Sequence, residues 1–193
     1  MRRRGRETEA RANKHSRKDE GEKVIKPQWH EGDLISHLQK EEAPLVLILD
    51  CIQDPQNLGA ILRTADGAGV SAVIAPKDKA AGITDTVRRI SVGAADTVPF
   101  FQVTNLSRSL EKLKEIGIWI VGTSDHGTQG FYEIDLKGPI AIVMGAEATG
   151  MRRLTEEACD FLVQLPMKGS VECLNVSVTT GVCLYEAVRQ RLS

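Results

Sequence analysis

The sequence predicts an α/β fold, a mainly parallel sheet flanked by helices. Three observations predict it. Short apolar runs recur from Pro44 onward. Segments with helical spacing of apolar residues lie between them. Several of the runs, LVLIL and IAIVM foremost, are apolar at every position, the texture of strands buried on both faces. Such alternation is the mark of crossover units and a parallel sheet.

The elements follow in order. Residues 27–43 form a connecting segment, with Pro27, Trp29 and Gly32 marking turns and Asp33 placed to cap a short helix LISHLQK. LVLIL at 45–49 is the first strand, and the polar loop DCIQDPQNLG leads from it into a helix from Leu58 to Ala68, closed by Gly69. SAVIA (71–75) is the second strand, Thr84–Ala95 a helix, and TVPFF (97–101) the third strand. Thr104 or Asn105 caps the helix LSRSLEKLKEI, which stops at Gly117. IWIVG (118–122) and IAIVMG (140–145) are strands separated by a polar, Gly-rich stretch. Leu154–Cys159 is a short helix and FLVQL (161–165) a sixth strand. The last helix runs from Leu174 to Leu192, with Leu184, Val188 and Leu192 at spacings of four.

Composition excludes several classes. Apolar residues make up 41% and charged residues 26%, as in a globular protein. The apolar runs are far shorter than the ~20 residues of a membrane span, so no membrane partner is expected. The four cysteines (Cys51, Cys159, Cys173, Cys183) form no C-x-x-C pair and have no nearby histidine ligands. Neither a disulfide framework nor a metal site is expected, and a reducing cytoplasm suits them. Aromatic residues are only 4%, too few for a base-stacking platform.

A net charge of −1 conceals an asymmetry. Residues 1–26 carry ten Lys/Arg against five Asp/Glu, while the rest carries fifteen against twenty-one. With hardly an apolar residue, this segment cannot offset its ordering entropy and reads as a disordered basic arm suited to RNA or a membrane surface, or simply solvated. No apolar run follows its arginines, so it is not read as a secretory signal.

Ligand sites in open α/β sheets lie beyond the carboxyl ends of the strands. Three loops there are unusual. In DPQNLGAILRTADGAG, Asn57 and Gly59 stand at a helix entrance and Arg63 lies further in, on a different face from Leu58, Leu62 and Ala65. In VMGAEATGM, Gly145 follows a strand directly, so a ligand can approach the backbone, and Glu147 sits at the sheet edge. In LPMKGSVECLNVSVTTG, β-branched residues make NVSVTT a poor helix opening, a conflict that marks a constrained site. By spacing alone, Asn57 reads as a helix cap, and Arg63 and Glu147 as surface charges. Neither G-x-G-x-x-G nor G-x-x-x-x-G-K-[ST] occurs, which argues against a dinucleotide-dependent oxidoreductase.

Taken together, NLGAILRTADGAGV, IVMGAEATGMRRL and LPMKGSVECLNVSVTTGVCLYEAVRQR resemble the three motifs of the SpoU/TrmH methyltransferases of the SPOUT class. The resemblance covers about residues 44–192, with the motifs in order. It is strongest to the subgroup that methylates a guanosine ribose in 23S rRNA. It implies a methyltransferase domain over 44–193 with a C-terminal trefoil knot, a homodimer, and S-adenosylmethionine as cofactor. It implies methyl transfer to a ribose 2′-hydroxyl of RNA, rRNA first and tRNA as the alternative. A non-catalytic RNA-binding protein of ribosome assembly is a further alternative. By motif position, the resemblance makes Asn57, Arg63, Glu147 and Asn175 the catalytic set. Thr123, Gly145, Leu165, Met167 and Leu174 become the cofactor lining. Members usually carry a small RNA-binding domain ahead of this core, where 43 residues stand here, and Cys173 occupies a position that is usually Ser.

Overall fold

A computed structural model describes residues 29–193. The basic arm expected over 1–26 therefore lies outside the described residues. Seven strands form one sheet in the order β3-β2-β1-β6-β4-β7-β5, and every pair is parallel. The strands are β1 (Leu45–Leu49), β2 (Ala72–Pro76), β3 (Phe100–Val103), β4 (Trp119–Thr123), β5 (Gln129–Gly130), β6 (Ile140–Met144) and β7 (Phe161–Gln164). The helices are α1 (Leu34–Leu38), α2 (Pro55–Gly67), α3 (Asp85–Ser91), α4 (Ala94–Thr97), α5 (Leu106–Glu115), α6 (Arg153–Glu157) and α7 (Val176–Arg191).

β1 and β6 are paired at the middle of the sheet and buried at every position, which is why their sequences show no alternation. Their side chains divide between two cores. Leu47, Leu49 and Ile142 face α2, α3 and α7 through Leu58, Leu62, Val87, Cys183 and Leu184. Val46, Ile48, Ala141 and Val143 face α1 and α5 through Leu38, Leu106, Leu110 and Leu113. The result is three layers, helix, sheet, helix, each sealed by apolar burial.

The predicted elements differ from these in five places. The helix expected from Leu58 begins at Pro55, because Asp54 accepts from Gln56 N at 2.9 Å and proline suits the first helical position. Asn57 is thus inside the first turn and is not its cap. The helix expected over Thr84–Ala95 breaks at Val92 and Gly93, both left-handed, into α3 and α4. The strand expected at 97–101 starts at Phe100, since Thr97 still belongs to α4. A seventh strand, β5, lies in the Gly-rich stretch; at two residues it offers no pattern to read. Asp33 ends a 3-10 turn, and its side chain makes no cap before α1.

Gly59 lets α2 and α3 pack tightly: a Cβ there would meet Ile90 Cβ at 2.7 Å. At the other end of the chain, Arg191 fixes α7. Its guanidinium donates to the carbonyls of Leu136, Ala43 and Gly138 at 2.9, 2.7 and 2.7 Å.

Candidate active site

The carboxyl ends of β1, β6, β4 and β7 stand side by side, and the loops that leave them hold the candidate residues. Three of the four proposed catalytic positions converge. Asn175 Nδ2 donates to Glu147 Oε1 at 2.7 Å and to Asn57 Oδ1 at 3.0 Å. Glu147 Oε1 also accepts from Val176 N at 2.9 Å. Asn175 Oδ1 accepts from Ser177 N at 3.0 Å, Ser177 Oγ at 2.5 Å and Val178 N at 3.4 Å, which caps α7.

These contacts orient one another. An ionised carboxylate only accepts, so Glu147 compels the nitrogen of the Asn175 amide to face it. The Asn175 oxygen is thereby turned to the first N–H groups of α7. Its second N–H meets Asn57 through the Asn57 oxygen, so the Asn57 Nδ2 group points elsewhere. That NH2 makes no hydrogen bond among the described residues and is half-exposed. The cluster therefore presents two amide donors toward an oxygen-bearing ligand.

Arg63 stands apart. It is exposed and makes no hydrogen bond or ion pair among the described residues. Six residues after Asn57 at 3.6 residues per turn, it lies about 240° around α2, away from the core face. The neighbouring stripe of α2 packs on α7, where a Cβ at Gly67 would sit 3.1 Å from Tyr185 Oη.

Glu147 rides on a hairpin. Ala146 N donates to Gly150 O at 3.1 Å and Gly150 N to Ala146 O at 2.8 Å. A Cβ at Gly145 would strike the Gly150 and Met151 backbone at 2.4 Å, so glycine is needed there to close the hairpin. Two residues the sequence reading did not single out anchor it. Asp50, fully buried, accepts from Arg152 N at 2.8 Å through Oδ2 and from Arg152 Nε at 2.7 Å through Oδ1. An acid directly after an all-apolar strand is the sequence signal that marks Asp50.

The expected cofactor-lining residues sit on three adjacent strand ends. Thr123 closes β4, and its Oγ1 donates to Val143 O at 3.0 Å. Gly145 follows β6. Leu165 and Met167 are half-buried after β7, and Leu174 is exposed further along the same loop. From Pro166 to Leu174 no residue forms a hydrogen bond with the rest of the described chain. The loop thus offers main-chain donors and acceptors, unbonded among the described residues, beside apolar side chains. Cys173 is exposed on this loop and touches none of Asn57, Glu147 or Asn175 by a hydrogen bond. Among the described residues no group of three or more His, Cys, Asp or Glu side chains is arranged to hold a metal ion.

These features define a class: a doubly wound α/β protein whose ligand site lies at the carboxyl ends of its central strands. Residues 44–185 match the SpoU rRNA Methylase family, and the chain belongs to that family. It is 58% identical over 164 residues to the 23S rRNA (guanosine-2′-O-)-methyltransferase RlmB of Pseudomonas putida, covering 84% of this chain and 66% of that one. It is 61% identical over 151 residues to the protein of the same name from Ralstonia nicotianae, covering 78% of this chain and 61% of that one. The chain thus spans about two thirds of the length of these curated relatives. Among solved structures, the SpoU methyltransferase AviRb from Streptomyces viridochromogenes in complex with AdoMet superposes with a TM-score of 0.75 at 30% identity, covering 82% of this chain and 62% of that one. An AdoMet-bound rRNA methyltransferase from Sinorhizobium meliloti gives 0.74 at 30% identity, covering 79% and 59%.

Proposed function

We propose that the chain is an S-adenosylmethionine-dependent methyltransferase acting on a ribose 2′-hydroxyl of RNA, with a guanosine of 23S rRNA as the target. The observation that carries this reading is the Asn57–Asn175–Glu147 cluster, in which motifs 118 residues apart meet and leave the Asn57 NH2 group free. The target comes from the names of the relatives at 58% and 61% identity.

The residues present suit the cofactor. The unbonded backbone of 166–174, with Leu165, Met167 and Leu174, would hold adenine by main chain and apolar contact, with Thr123 and Gly145 as neighbouring walls. S-adenosylmethionine would supply an electrophilic methyl group on its sulfonium. The protein's task is then alignment and charge. A ribose hydroxyl is a poor nucleophile until its proton leaves. A guanidinium offers donors and no acceptor, so the proton passes to a phosphate or water and not to Arg63. Arg63 therefore stabilises the oxygen as negative charge grows, and Asn57 Nδ2 donates to the same oxygen or the adjoining phosphate. Glu147 and Asn175 fix Asn57.

The reading includes a homodimer. α7 carries an outward stripe of Val178, Tyr185 and Leu192, exposed at 52%, 53% and 84%, with Val182 half-buried beside it. A second copy covering this stripe would close the solvent side of α2 on which Arg63 stands. The C-terminal knot and a cytoplasmic location belong to the same reading. Among the described residues no helix is long and apolar enough to cross a membrane.

Ligand stabilisation tests the cofactor half of the proposal. At a hundredfold excess over Kd, binding adds ~2.7 kcal/mol. S-adenosylmethionine and S-adenosylhomocysteine are expected to raise the melting temperature, and nicotinamide dinucleotides to leave it unchanged. The opposite pattern refutes the reading.

A further inference from the structure

We propose that Asp50 is a positioning residue for this site: it staples both ends of the hairpin that carries Glu147. The inference rests on the site reading above. At the hairpin's entry, Asp50 N donates to Met144 O at 2.8 Å. At its exit, the Asp50 carboxylate takes Arg152 N and Arg152 Nε at 2.8 and 2.7 Å. Between those two points lie only Gly145 to Met151, closed internally by the paired Ala146–Gly150 hydrogen bonds. The hairpin tip therefore has its place set from residue 50. From the tip, Glu147 Oε1 reaches Asn175 Nδ2 and Val176 N, and Asn175 reaches Asn57.

Energetics favour a geometric role over a stabilising one. Asp50 is the one acid or base among the described residues that is fully withdrawn from solvent. A buried ion pair seldom stabilises more than an apolar replacement of the same size. What the pair supplies is direction: one carboxylate binds both the main chain and the planar guanidinium edge of the same residue. Arg152 keeps its outer face to solvent, its side chain 41% exposed, while Asp50 is fully buried.

The test uses the full chain with two variants, Asp50→Asn and Arg152→Ala. Arg152→Ala removes the Nε donor, and Asp50→Asn removes the charge and leaves one acceptor oxygen for two donors. Arg152→Ala changes a partly exposed side chain, so it carries the test if Asp50→Asn fails to fold. The first readout is hydrogen exchange of the Val176 amide in the protein without RNA or cofactor. Exchange there is expected to rise about tenfold, the equivalent of losing one charge-assisted bond, while the amides of β1 and β6 stay as protected as in the parent. The second readout is methyl transfer: kcat is expected to fall about tenfold, with KM for RNA within about twofold. Unchanged Val176 exchange in a folded variant overturns the inference. So does a loss of protection spread evenly over β1 and β6, which marks a merely structural role. If the parent protein transfers no methyl group, the functional reading fails, while the exchange result still decides the stapling.

Discussion

Arg63 is the residue on which the proposed chemistry turns: it is exposed on α2 and makes no hydrogen bond or ion pair among the described residues, so its cation is left to a ligand. Arg63→Ala is expected to abolish methyl transfer while S-adenosylmethionine still binds, since the loop expected to hold the cofactor is on another strand end. Arg63→Lys is expected to fail as well, because an ammonium is a point charge without the planar fork. Isothermal titration beside single-turnover transfer checks both, and loss of cofactor binding would move Arg63 to a structural role. The residue types were legible in the sequence; their meeting was not. Asn57 and Asn175 are 118 positions apart, and no spacing rule joins them. Only the motif resemblance put them in one site. Cys173 illustrates the converse: its departure from the usual Ser is visible in sequence, yet the thiol bonds to none of the cluster.

Among the elements, the loop from β4 to β5 carries a pH-dependent latch onto α6. His126 Nε2 lies 2.5 Å from Glu156 Oε1, and its Nδ1 lies 2.8 Å from Asp125 Oδ1 and 3.0 Å from Ser124 Oγ. The carboxylates of Asp125 and Glu156 hold the imidazole pKa above its usual value. The protonated form is therefore the one the folded loop prefers. The latch is fully present below the unfolded pKa of ~6.5 and is lost as pH rises through the higher folded value. An NMR titration is expected to give His126 a raised pKa, with Ser124–Thr128 amides exchanging faster at the alkaline end. His126→Gln should remove that pH dependence; a loop equally dynamic at all pH values in the parent contradicts it. Exposure limits this effect to the loop itself. The elements also show how far sequence patterns reach. β1 and β6 were readable because burial on both faces leaves unbroken apolar runs. The break at Val92–Gly93 was not, since helical spacing continues across it. β5 is too short to have a period.

For the whole molecule, the question is what covers α7. Its outward apolar stripe, Val178 and Tyr185 with Leu192 beyond its end, is the kind of exposed patch that marks an interaction face. Tyr185→Glu places a charge on the outward stripe and is expected to convert a dimer to a monomer in analytical ultracentrifugation, with the fold intact by circular dichroism. A parent protein that is already monomeric at micromolar concentration contradicts the homodimer. The basic segment 1–26 acts at the same scale. Counterion release makes phosphate contacts salt-sensitive, so deleting it is expected to flatten the salt dependence of RNA affinity without altering the chemical step. An unchanged slope would make it a passive tail.

The central claim is methyl transfer to a ribose oxygen, and it has a direct assay. The full chain is incubated with S-adenosylmethionine carrying a labelled methyl group and with unmodified 23S rRNA, and the product is digested and mapped. The account predicts label on the 2′-oxygen of a guanosine, absent with Arg63→Ala. Label on a base, or cofactor bound with no label in any RNA, would contradict it.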